Sequence, residues 1–230
     1  MNTLIIDVGG FSIKLAMNGE PATMVPTPPR MSPGELLQLT RAALGGRSCD
    51  RVSIGYPGPV RHNQPLREPV NLGTGWVDFD FAAAFGCPVR ILNDAAMQAL
   101  GSYHGGIMLF LGLGTGLGTT LIHDGHVVAL EMAHMPFRDG QTFESMLGKA
   151  GLERIGEQQW KARVREAIEL FNYVLYPDYI VLGGGNAQRF QAGELPDYVE
   201  PGDNSLALTG GLRIWDNPTG QPATQRPASR

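Results

Sequence analysis

Near the start of the chain, a carboxylate, two glycines and a lysine are spaced in a way that suits phosphate chemistry. Asp7 ends an apolar run, Gly9 and Gly10 follow it closely, and Lys14 lies on the next strand-like segment. In one tight turn these groups can hold Mg²⁺ and a phosphate together, since carboxylate oxygens bind the metal and bare backbone N–H groups face the anion. An Asp-capped hairpin without a ligand accounts for the same residues, so this motif alone leaves both interpretations open.

A second glycine-rich segment, Gly112–Gly118, reads GLGTGLG and has Gly114, Thr115 and Gly116 at its centre. The residues that follow, Thr119–Ile122, are β-branched and strand-like, so the segment is expected to lie between two strands. A dinucleotide-binding loop would open a helix instead, and the Gly-x-x-x-x-Gly-Lys pattern of a P-loop is absent from the sequence. The segment therefore predicts either a phosphate-binding loop of another kind or a plain hairpin turn.

Asn93 and Asp94 follow the apolar run Pro88–Leu92 and open a predicted helix. The carboxyl ends of strands line the ligand crevice of open α/β sheets, which favours a functional role for both residues. Asn and Asp are also ordinary helix N-caps, and the pattern alone does not separate the two interpretations.

Three further polar residues lie later in the chain. Glu131 and His134 flank a strand end, and Glu144 falls in the next short helix. Carboxylates and imidazole accept hydrogen bonds from a polyol, although single residues of this kind also decorate surfaces. The triplet Gly183–Gly185 follows a predicted strand, where it forms either a turn or bare backbone against which a flat purine can lie.

Composition excludes several classes of protein. The 230 residues include 31 glycines without a Gly-X-Y period, and the net charge is −4, with no run of Lys or Arg longer than two. These features argue against collagen, a nucleic-acid surface and a polybasic membrane anchor. Two cysteines, Cys49 and Cys87, cannot build a disulfide framework, and their spacing does not suggest zinc. Without a signal-like start or an apolar stretch of about 18 residues, we expect a cytoplasmic protein that does not enter the membrane.

The positioning elements form an α/β pattern. Apolar runs predict strands, and helices are predicted from apolar spacing and caps. The predicted strands are Thr3–Val8, Ser12–Met17, Arg51–Gly55, Pro88–Leu92, Ile107–Leu111, Thr119–Ile122, His126–Leu130 and Tyr179–Leu182, and the predicted helices are Ser32–Leu44, Ala95–Tyr103, Gln158–Leu175 and Leu206–Trp215. We expect an N-terminal lobe at 1–100, a C-terminal lobe at 101–215 with a hinge near Gly101–Gly106, and a disordered polar tail at 216–230.

The order of the motifs resembles the ROK sugar kinases of the actin/hexokinase/Hsp70 superfamily. Asp-x-Gly-Gly, Asn-Asp, Gly-x-Gly-Thr-Gly, Glu-x-x-His and Val-Leu-Gly-Gly-Gly follow one another along roughly Leu4–Trp215. Segments such as NLGTGW, NDAAMQALGSY and GDN…GGLRIW are most similar to the polyphosphate glucokinase branch. The resemblance implies a two-lobed actin-like ATPase (ribonuclease H-like) fold with a cleft between the lobes, and a kinase that phosphorylates the 6-hydroxyl of glucose.

The resemblance also implies a role for each candidate residue, with polyphosphate or ATP as the phosphoryl donor and Mg²⁺ as the cofactor. Asp94 matches the general base, and on the same basis Asp7 orients Mg²⁺ through water. The implied sugar ligands are Asn93, Glu131, His134 and Glu144. The implied donor-side residues are Gly9, Gly10, Lys14, Gly114, Thr115, Gly116, Gly183, Gly184 and Gly185. A homodimer is implied by the family only, and no structural zinc is expected because no cysteine follows Cys87.

The sequence departs from the family pattern at two positions. Phe11 stands where the family usually has threonine, so an apolar ring replaces a hydroxyl that can donate to a phosphate. Ala133 replaces a glycine between Glu131 and His134, a mild change unless that backbone needs a positive φ. Phe11 keeps open an alternative function, a non-catalytic sugar-binding or regulatory protein on the same scaffold.

Overall fold

The computed structural model describes residues 1–216 and contains two compact units. Within the described residues, one unit holds 1–101 together with 207–216, and the other holds Ser102–Leu206. The sequence placed residues 101–215 in one lobe, whereas the structure returns the last helix to the first unit. The predicted disordered tail lies outside the described residues, apart from Asp216.

The first unit is built on a sheet of mixed direction. Its strands are β1 (Thr3–Val8), β2 (Ser12–Met17), β3 (Thr23–Pro26), β4 (Arg51–Tyr56), β5 (Val60–Arg61), β6 (Gln64–Pro65) and β7 (Val89–Asn93). Its helices are α1 (Pro33–Leu44), α2 (Phe81–Phe85) and α3 (Asp94–Ser102). The main sheet has the strand order β3-β2-β1-β4-β7, in which β1 pairs antiparallel with β2 and parallel with β4. Parallel pairing continues from β4 to β7, so the carboxyl ends of β1, β4 and β7 meet at one edge.

The second unit repeats this strand order. Its strands are β8 (Ile107–Leu113), β9 (Leu117–His123), β10 (His126–Leu130), β11 (Pro136–Arg138), β12 (Gln141–Thr142), β13 (Tyr179–Gly183) and β14 (Val199–Pro201). Its helices are α4 (Phe143–Leu147), α5 (Lys149–Ile155) and α6 (Glu157–Leu175), with 3₁₀ turns at Met132–His134 and Gly185–Arg189. The main sheet has the order β10-β9-β8-β13-β14, again antiparallel on one side of its central strand and parallel on the other.

Local sequence explains the helix boundaries. Ser32 accepts a hydrogen bond from the backbone N–H of Glu35, whose carboxylate accepts one from the N–H of Ser32, so a capping box starts α1. Gly45 in the left-handed conformation ends that helix. In α6, Trp160, Val164, Ile168 and Phe171 recur at helical spacing and are buried in the core of the second unit, with Leu175 partly buried beyond them.

The last helix, α7 (Leu206–Arg213), packs onto the first unit through a pair of glycines. A Cβ on Gly210 would lie 2.8 Å from the carbonyl carbon of Met97, and one on Gly211 would overlap the side chain of Ile5. Because Gly210 and Gly211 have no side chains, α7 can approach α3 and β1 closely. No helix in residues 1–216 combines the length and the apolar character needed to span a membrane.

Candidate functional site

Two carboxylates lie at the carboxyl edge of the first sheet. Asp7 is the fifth residue of β1, and in the strand register it faces Gly55 of β4. Asn93 ends β7 opposite Tyr56 of β4, and Asp94 is the first residue of α3. The parallel pairing of β1, β4 and β7 thus gathers residues that are far apart in sequence.

Asp7 is held by an ion pair across the β1–β2 hairpin. Lys14 lies opposite Asp7 in the antiparallel register, and its Nζ donates to Oδ2 of Asp7 at 2.9 Å. The side chains are 30% and 13% exposed respectively, so the pair is largely shielded from solvent. The structure thus unites the predicted carboxylate and lysine in one turn.

Asp94 has a strongly raised pKa. Burial is the largest cause and the negative charge of Asp7 the second, and together they raise the pKa of Asp94 to about 7. The backbone N–H of Ala95, which donates to Oδ1 of Asp94 at 2.8 Å, and the charge of Lys14 act in the opposite direction. A carboxyl group that titrates near neutral pH can accept and release a proton, which suits general acid–base chemistry.

Asn93 acts as a helix cap. Its Oδ1 accepts from the backbone N–H of Ala96 at 3.1 Å, and its Nδ2 donates to the carbonyl of Gly58 at 3.1 Å. These bonds show that the amide of Asn93 serves as a helix cap, one of the two roles that the sequence left open. Each amide atom retains one further hydrogen-bonding position, so the cap does not preclude contact with a sugar.

Gly55 contributes to the site by having no side chain. A Cβ at this position would lie 2.5 Å from Cε of Met97 and 3.3 Å from Oδ1 of Asp7. Sequence reasoning did not select Gly55 as a site residue, because a glycine inside a strand carries no local signal of what lies opposite it.

The turn between β1 and β2 presents Gly10 and Phe11 to solvent. Gly9 closes the turn through its N–H, which donates to the carbonyl of Ser12 at 3.1 Å. The hydroxyl of Thr27 donates to the carbonyl of Gly9 at 2.7 Å and braces the turn from β3. The ring of Phe11 is 87% exposed, so it contributes little to the core and projects from the tip of the predicted phosphate turn.

The second glycine-rich loop is the tip of the β8–β9 hairpin, which confirms its predicted place between two strands. The N–H of Gly114 donates to the carbonyl of Gly116 at 3.0 Å, and Thr115 between them is exposed. The N–H of Lys149 donates to the carbonyls of Gly114 and Thr115 at 3.1 Å each, and Nδ2 of Asn186 donates to the carbonyl of Gly114 at 3.1 Å. The loop is thus fixed through its carbonyl groups.

Lys149 and Asn186 are positioning residues that sequence reasoning missed. The lysine acts through its backbone, which leaves no side-chain signal in the sequence. Asn186 stands directly after the glycine triplet, so its place in the motif was the signal that could have drawn attention to it.

The triplet Gly183–Gly185 lies beside that loop. Gly184 has φ +83°, and a Cβ there would lie 2.6 Å from the carbonyl carbon of Leu113 at the end of β8. Its N–H donates to Oδ1 of Asn204 at 3.2 Å. Around Gly185 a Cβ would meet no atom within 4 Å. Gly184 is therefore required by packing, whereas Gly185 leaves open space in which a ligand can approach the backbone.

The predicted sugar ligands of the second unit fall into two places. Nε2 of His134 lies 3.5 Å from Oε2 of Glu131, and the side chains are 65% and 58% exposed. Glu144, at the start of α4, packs its carboxylate against Gly116, so it lies beside the glycine loop. Ala133 is buried and is absent from the residues with positive φ in the described chain, so alanine fits this backbone.

The carboxylate chemistry of the first unit suits Mg²⁺. In residues 1–216 no group of three or more His, Cys, Asp or Glu side chains is placed to hold a metal ion. Mg²⁺ bound with phosphates usually keeps several waters and needs only one or two carboxylates. Asp7 uses Oδ2 for Lys14, and its Oδ1 borders the space left by Gly55, so one carboxylate oxygen fits a water-mediated metal contact.

Comparison with known proteins identifies the family. The model of the ROK family matches residues 3–146. The chain belongs to the ROK family. Polyphosphate glucokinase of Mycobacterium tuberculosis is 26% identical over 153 residues, which cover 60% of this chain and 57% of that protein. The match thus spans little more than half the length of this curated relative.

Solved structures of ROK proteins share the fold. The inorganic polyphosphate/ATP-glucomannokinase of Arthrobacter sp. strain KM gives a TM-score of 0.73 at 24% identity, covering 92% of this chain and 99% of that chain. A ROK family glucokinase from Streptomyces griseus, in complex with glucose and AMPPNP, gives 0.70 at 16% identity, covering 93% and 99%. At these identities the structures show the fold, and they confirm the predicted α/β, actin-like ATPase class.

Proposed function

We propose that this ROK protein is a sugar kinase that transfers a phosphoryl group from polyphosphate or ATP to the 6-hydroxyl of glucose. The observation that carries this proposal is the environment of Asp94, a carboxyl group with a pKa of about 7 beside the Asp7–Lys14 ion pair. The names of the relatives support it, since the mycobacterial protein is a polyphosphate glucokinase and the Arthrobacter protein is named for both donors.

In this proposal Asp94 is the general base. Its ionised carboxylate accepts the proton of the sugar 6-hydroxyl while the hydroxyl oxygen bonds to the terminal phosphorus of the donor. The bond between that phosphorus and the bridging oxygen breaks, and the shortened donor leaves with the electron pair. A base whose pKa lies near the working pH is ionised in a large fraction of molecules and still binds the proton well, a contribution typically worth about 10²–10⁴ in rate.

The donor phosphates need compensation of their negative charge, because phosphoryl transfer depends mainly on positioning and electrostatics. Asp7 would hold Mg²⁺ through its water shell, and the bound ion would supply positive charge that offsets the charge of the donor phosphates. Lys14 pairs with Asp7 and adds a positive charge to the same turn. The turn at Gly9 and Gly10 is assigned to the same phosphates. Gly10 would offer its exposed backbone N–H, and Gly9 shapes the turn through its own bond to the carbonyl of Ser12.

The second unit is assigned the other contacts. Gly114, Thr115 and Gly116 would bind donor phosphates, and the open backbone at Gly185 would accept the purine when ATP is the donor. In the second unit, the polar side chains of Glu131, His134 and Glu144 would accept hydrogen bonds from sugar hydroxyls. In the first unit, Asn93 is assigned to sugar hydroxyls through the amide positions that its cap leaves open. Glucose and mannose are the first sugars to test, since the Arthrobacter relative is named a glucomannokinase.

A coupled assay tests the proposal. Purified protein is incubated with glucose, Mg²⁺ and either polyphosphate or ATP, and glucose 6-phosphate is measured through its oxidation by a dehydrogenase. We expect Asp94→Asn to lower kcat at least about a hundredfold, since it removes the base. The exposed Asp197 provides the matched control, Asp197→Asn, which should retain full activity. Absence of turnover with either donor, or full activity of Asp94→Asn, would refute the assignment.

The exposure of Phe11 supports one second candidate, a non-catalytic sugar-binding or regulatory protein. That function predicts glucose binding in calorimetry without turnover, and no gain of turnover in Phe11→Thr. A gain of severalfold in a weak activity would instead identify an impaired kinase. A cytoplasmic location and a homodimer complete the proposal, to be tested by cell fractionation and by light scattering of the purified chain.

A further inference from the structure

Cys49 and Cys87 lie at the N-terminal edge of the first sheet. Cys49 shortly precedes β4, and Cys87 shortly precedes β7. These strands are parallel neighbours in which Val52 pairs with Val89, and the N–H of Val52 donates to the carbonyl of Pro88 at 2.9 Å. Extending that register backward places Cys87 opposite Asp50, the residue after Cys49, so the two cysteines lie one residue out of register on neighbouring chain segments. Neighbouring strands are about 4.8 Å apart, which is within the range of Cα separations that a disulfide bridges.

The two sulfur atoms are in contact. Their Sγ atoms are 3.9 Å apart, and both side chains are half-buried at the margin of the first hydrophobic core. A disulfide bond is about 2.05 Å long, so the sulfurs must approach each other by a side-chain rotation or a small backbone shift. We propose that Cys49 and Cys87 are a modification site at which a peroxide forms a reversible intramolecular disulfide.

The chemistry balances with hydrogen peroxide as the oxidant. One thiolate attacks a peroxide oxygen, the O–O bond breaks, and a sulfenic acid forms with release of hydroxide. The second thiol attacks the sulfenic sulfur, the S–O bond breaks, and water leaves. Two thiols and one peroxide thus give one disulfide and two waters, and a dithiol reductant reverses the oxidation.

The pKa of Cys87 affects the rate of this oxidation. Burial, followed by the influence of Cys49 and the charge of Asp50, raises the pKa of Cys87 to about 11. Little of this thiol is ionised at neutral pH, so an oxidation that begins at Cys87 should be slow there and accelerate as pH rises toward that value. The contact between the sulfurs still favours closure of the disulfide over further oxidation once a sulfenic acid has formed.

The disulfide would lie away from the proposed base. Cys87 precedes β7, whereas Asp94 follows it, and five residues of strand separate the two ends by roughly 17 Å. The bond would close a loop between positions that are 38 residues apart, which restricts the unfolded chain. We therefore expect the oxidised protein to unfold at higher denaturant concentration and to keep its kinase activity, if the proposed function holds.

Peptide mapping of the oxidised full-length chain tests the site. Native protein is treated with hydrogen peroxide, and its thiols are counted in denaturant and its peptides mapped without reductant. We expect both thiols to disappear together, a mass loss of about 2 Da from the two hydrogens removed, and one cross-linked peptide pair that dithiothreitol separates. In Cys49→Ser and Cys87→Ser the remaining thiol should gain oxygen instead. Oxygen adducts on both cysteines of the wild type, or disulfides only between chains, would overturn the proposal.

A thiol-exchange equilibrium shows whether the fold creates the site. The wild type is equilibrated with reduced and oxidised glutathione, in buffer and in concentrated urea, and the fraction of intramolecular disulfide is measured. We expect the native chain to favour the disulfide at least about tenfold more strongly than the unfolded chain, because the fold holds the sulfurs together. Equal constants in the two conditions would overturn the inference. This measurement requires no catalytic activity, so its failure is distinct from failure of the proposed function.

Discussion

The stability of the protein should depend on pH through Asp94, and replacing that carboxyl by an amide should remove the dependence. The pKa of Asp94 is about 7 in the folded chain, against an ordinary value of 3.8. The folded state therefore binds a proton more tightly than the unfolded state. The stabilisation by protonated Asp94 is fully present below about pH 4 and is lost as pH rises to about 7.

The structure sets the size of this effect. Raising the pKa of Asp94 from 3.8 to about 7 on folding lowers the free energy of unfolding at high pH by roughly 4 kcal/mol, since one pKa unit corresponds to about 1.4 kcal/mol. Solvent access to the half-buried carboxylate and local relaxation reduce it, so we expect about 2–4 kcal/mol at pH 8. Asp94→Asn keeps the oxygen that accepts from Ala95 while removing the charge. The variant should therefore be more stable than the wild type at pH 8 and similar to it near pH 4.

Urea unfolding between pH 4 and pH 8 measures the difference. Tryptophan fluorescence follows the unfolding, with Trp76 buried in the core of the unit that contains Asp94. The variant Trp160→Phe removes the signal of the tryptophan buried in the second unit and is used as the common background. Asp197→Asn removes an exposed carboxylate and should leave the pH dependence of the wild type unchanged. Parallel stability curves for the wild type and Asp94→Asn, or a variant that is less stable at pH 8, would refute the reasoning about burial and charge.

Three further predictions follow from neighbouring contacts. The charge of Asp7 raises the pKa of Asp94 and that of Lys14 lowers it. Asp7→Asn should therefore lower this pKa and Lys14→Met should raise it, and urea unfolding of each variant between pH 4 and pH 8 measures the shift. In the kinase assay, kcat/KM for glucose should rise with pH to a plateau above about pH 7, as Asp94 ionises, and a flat profile over pH 5–8 would contradict the assignment of the base. Gly184→Ala should lower the free energy of unfolding by roughly 2–4 kcal/mol, since Gly184 has a positive φ and a Cβ there would overlap the end of β8. In the matched control Gly185→Ala, the added Cβ would meet no atom within 4 Å, so the loss measured in denaturant unfolding should be less than about 1 kcal/mol.

Elements with strong local signals were predictable from the sequence. The predicted strands Thr3–Val8 and Ser12–Met17 match β1 and β2 to the residue, because apolar runs bounded by a glycine pair leave little ambiguity. The short strand β3 was missed, since Thr23–Pro26 is largely exposed and has no apolar alternation. Its role is visible only in the fold, where β3 pairs with β2 at the edge of the sheet.

The place of the last helix needed information that a local sequence pattern does not contain. Its residues were predicted as a helix, and α7 forms there. Because these residues follow the C-terminal lobe in sequence, the helix was assigned to that lobe, 101–215. The close approach of Gly210 to Met97 instead packs it against α3. A glycine pair in a helix indicates that something approaches closely, without indicating which element approaches.

The same limit applies to the candidate base. Sequence motifs selected Asp7, Lys14 and Asp94 separately, and each had a structural explanation as a turn or a cap. The raised pKa of Asp94 arises because sheet order places its carboxyl near that of Asp7, a long-range effect that motif spacing does not reveal. The motifs were thus enough to select Asp7, Lys14 and Asp94 as candidates, whereas the effect of Asp7 and Lys14 on the pKa of Asp94 can be seen only in the fold.

The repeated strand order gives the two glycine motifs one structural explanation. Gly9–Phe11 joins the antiparallel pair β1–β2 at the carboxyl end of the central strand of its sheet, and Gly114–Gly116 joins β8–β9 at the corresponding place in the other sheet. Neither motif opens a helix, because in this topology the chain returns as an antiparallel strand, so backbone N–H groups of a turn replace a helix N-terminus as the proposed phosphate contacts. The exposed tips differ in chemistry, with Phe11 at one and Thr115 at the other. Only the second tip carries a hydroxyl that can donate to a phosphate. The phosphate contacts proposed for the first turn therefore depend on Lys14 and on bare backbone, whereas those proposed for the second loop also include the side chain of Thr115.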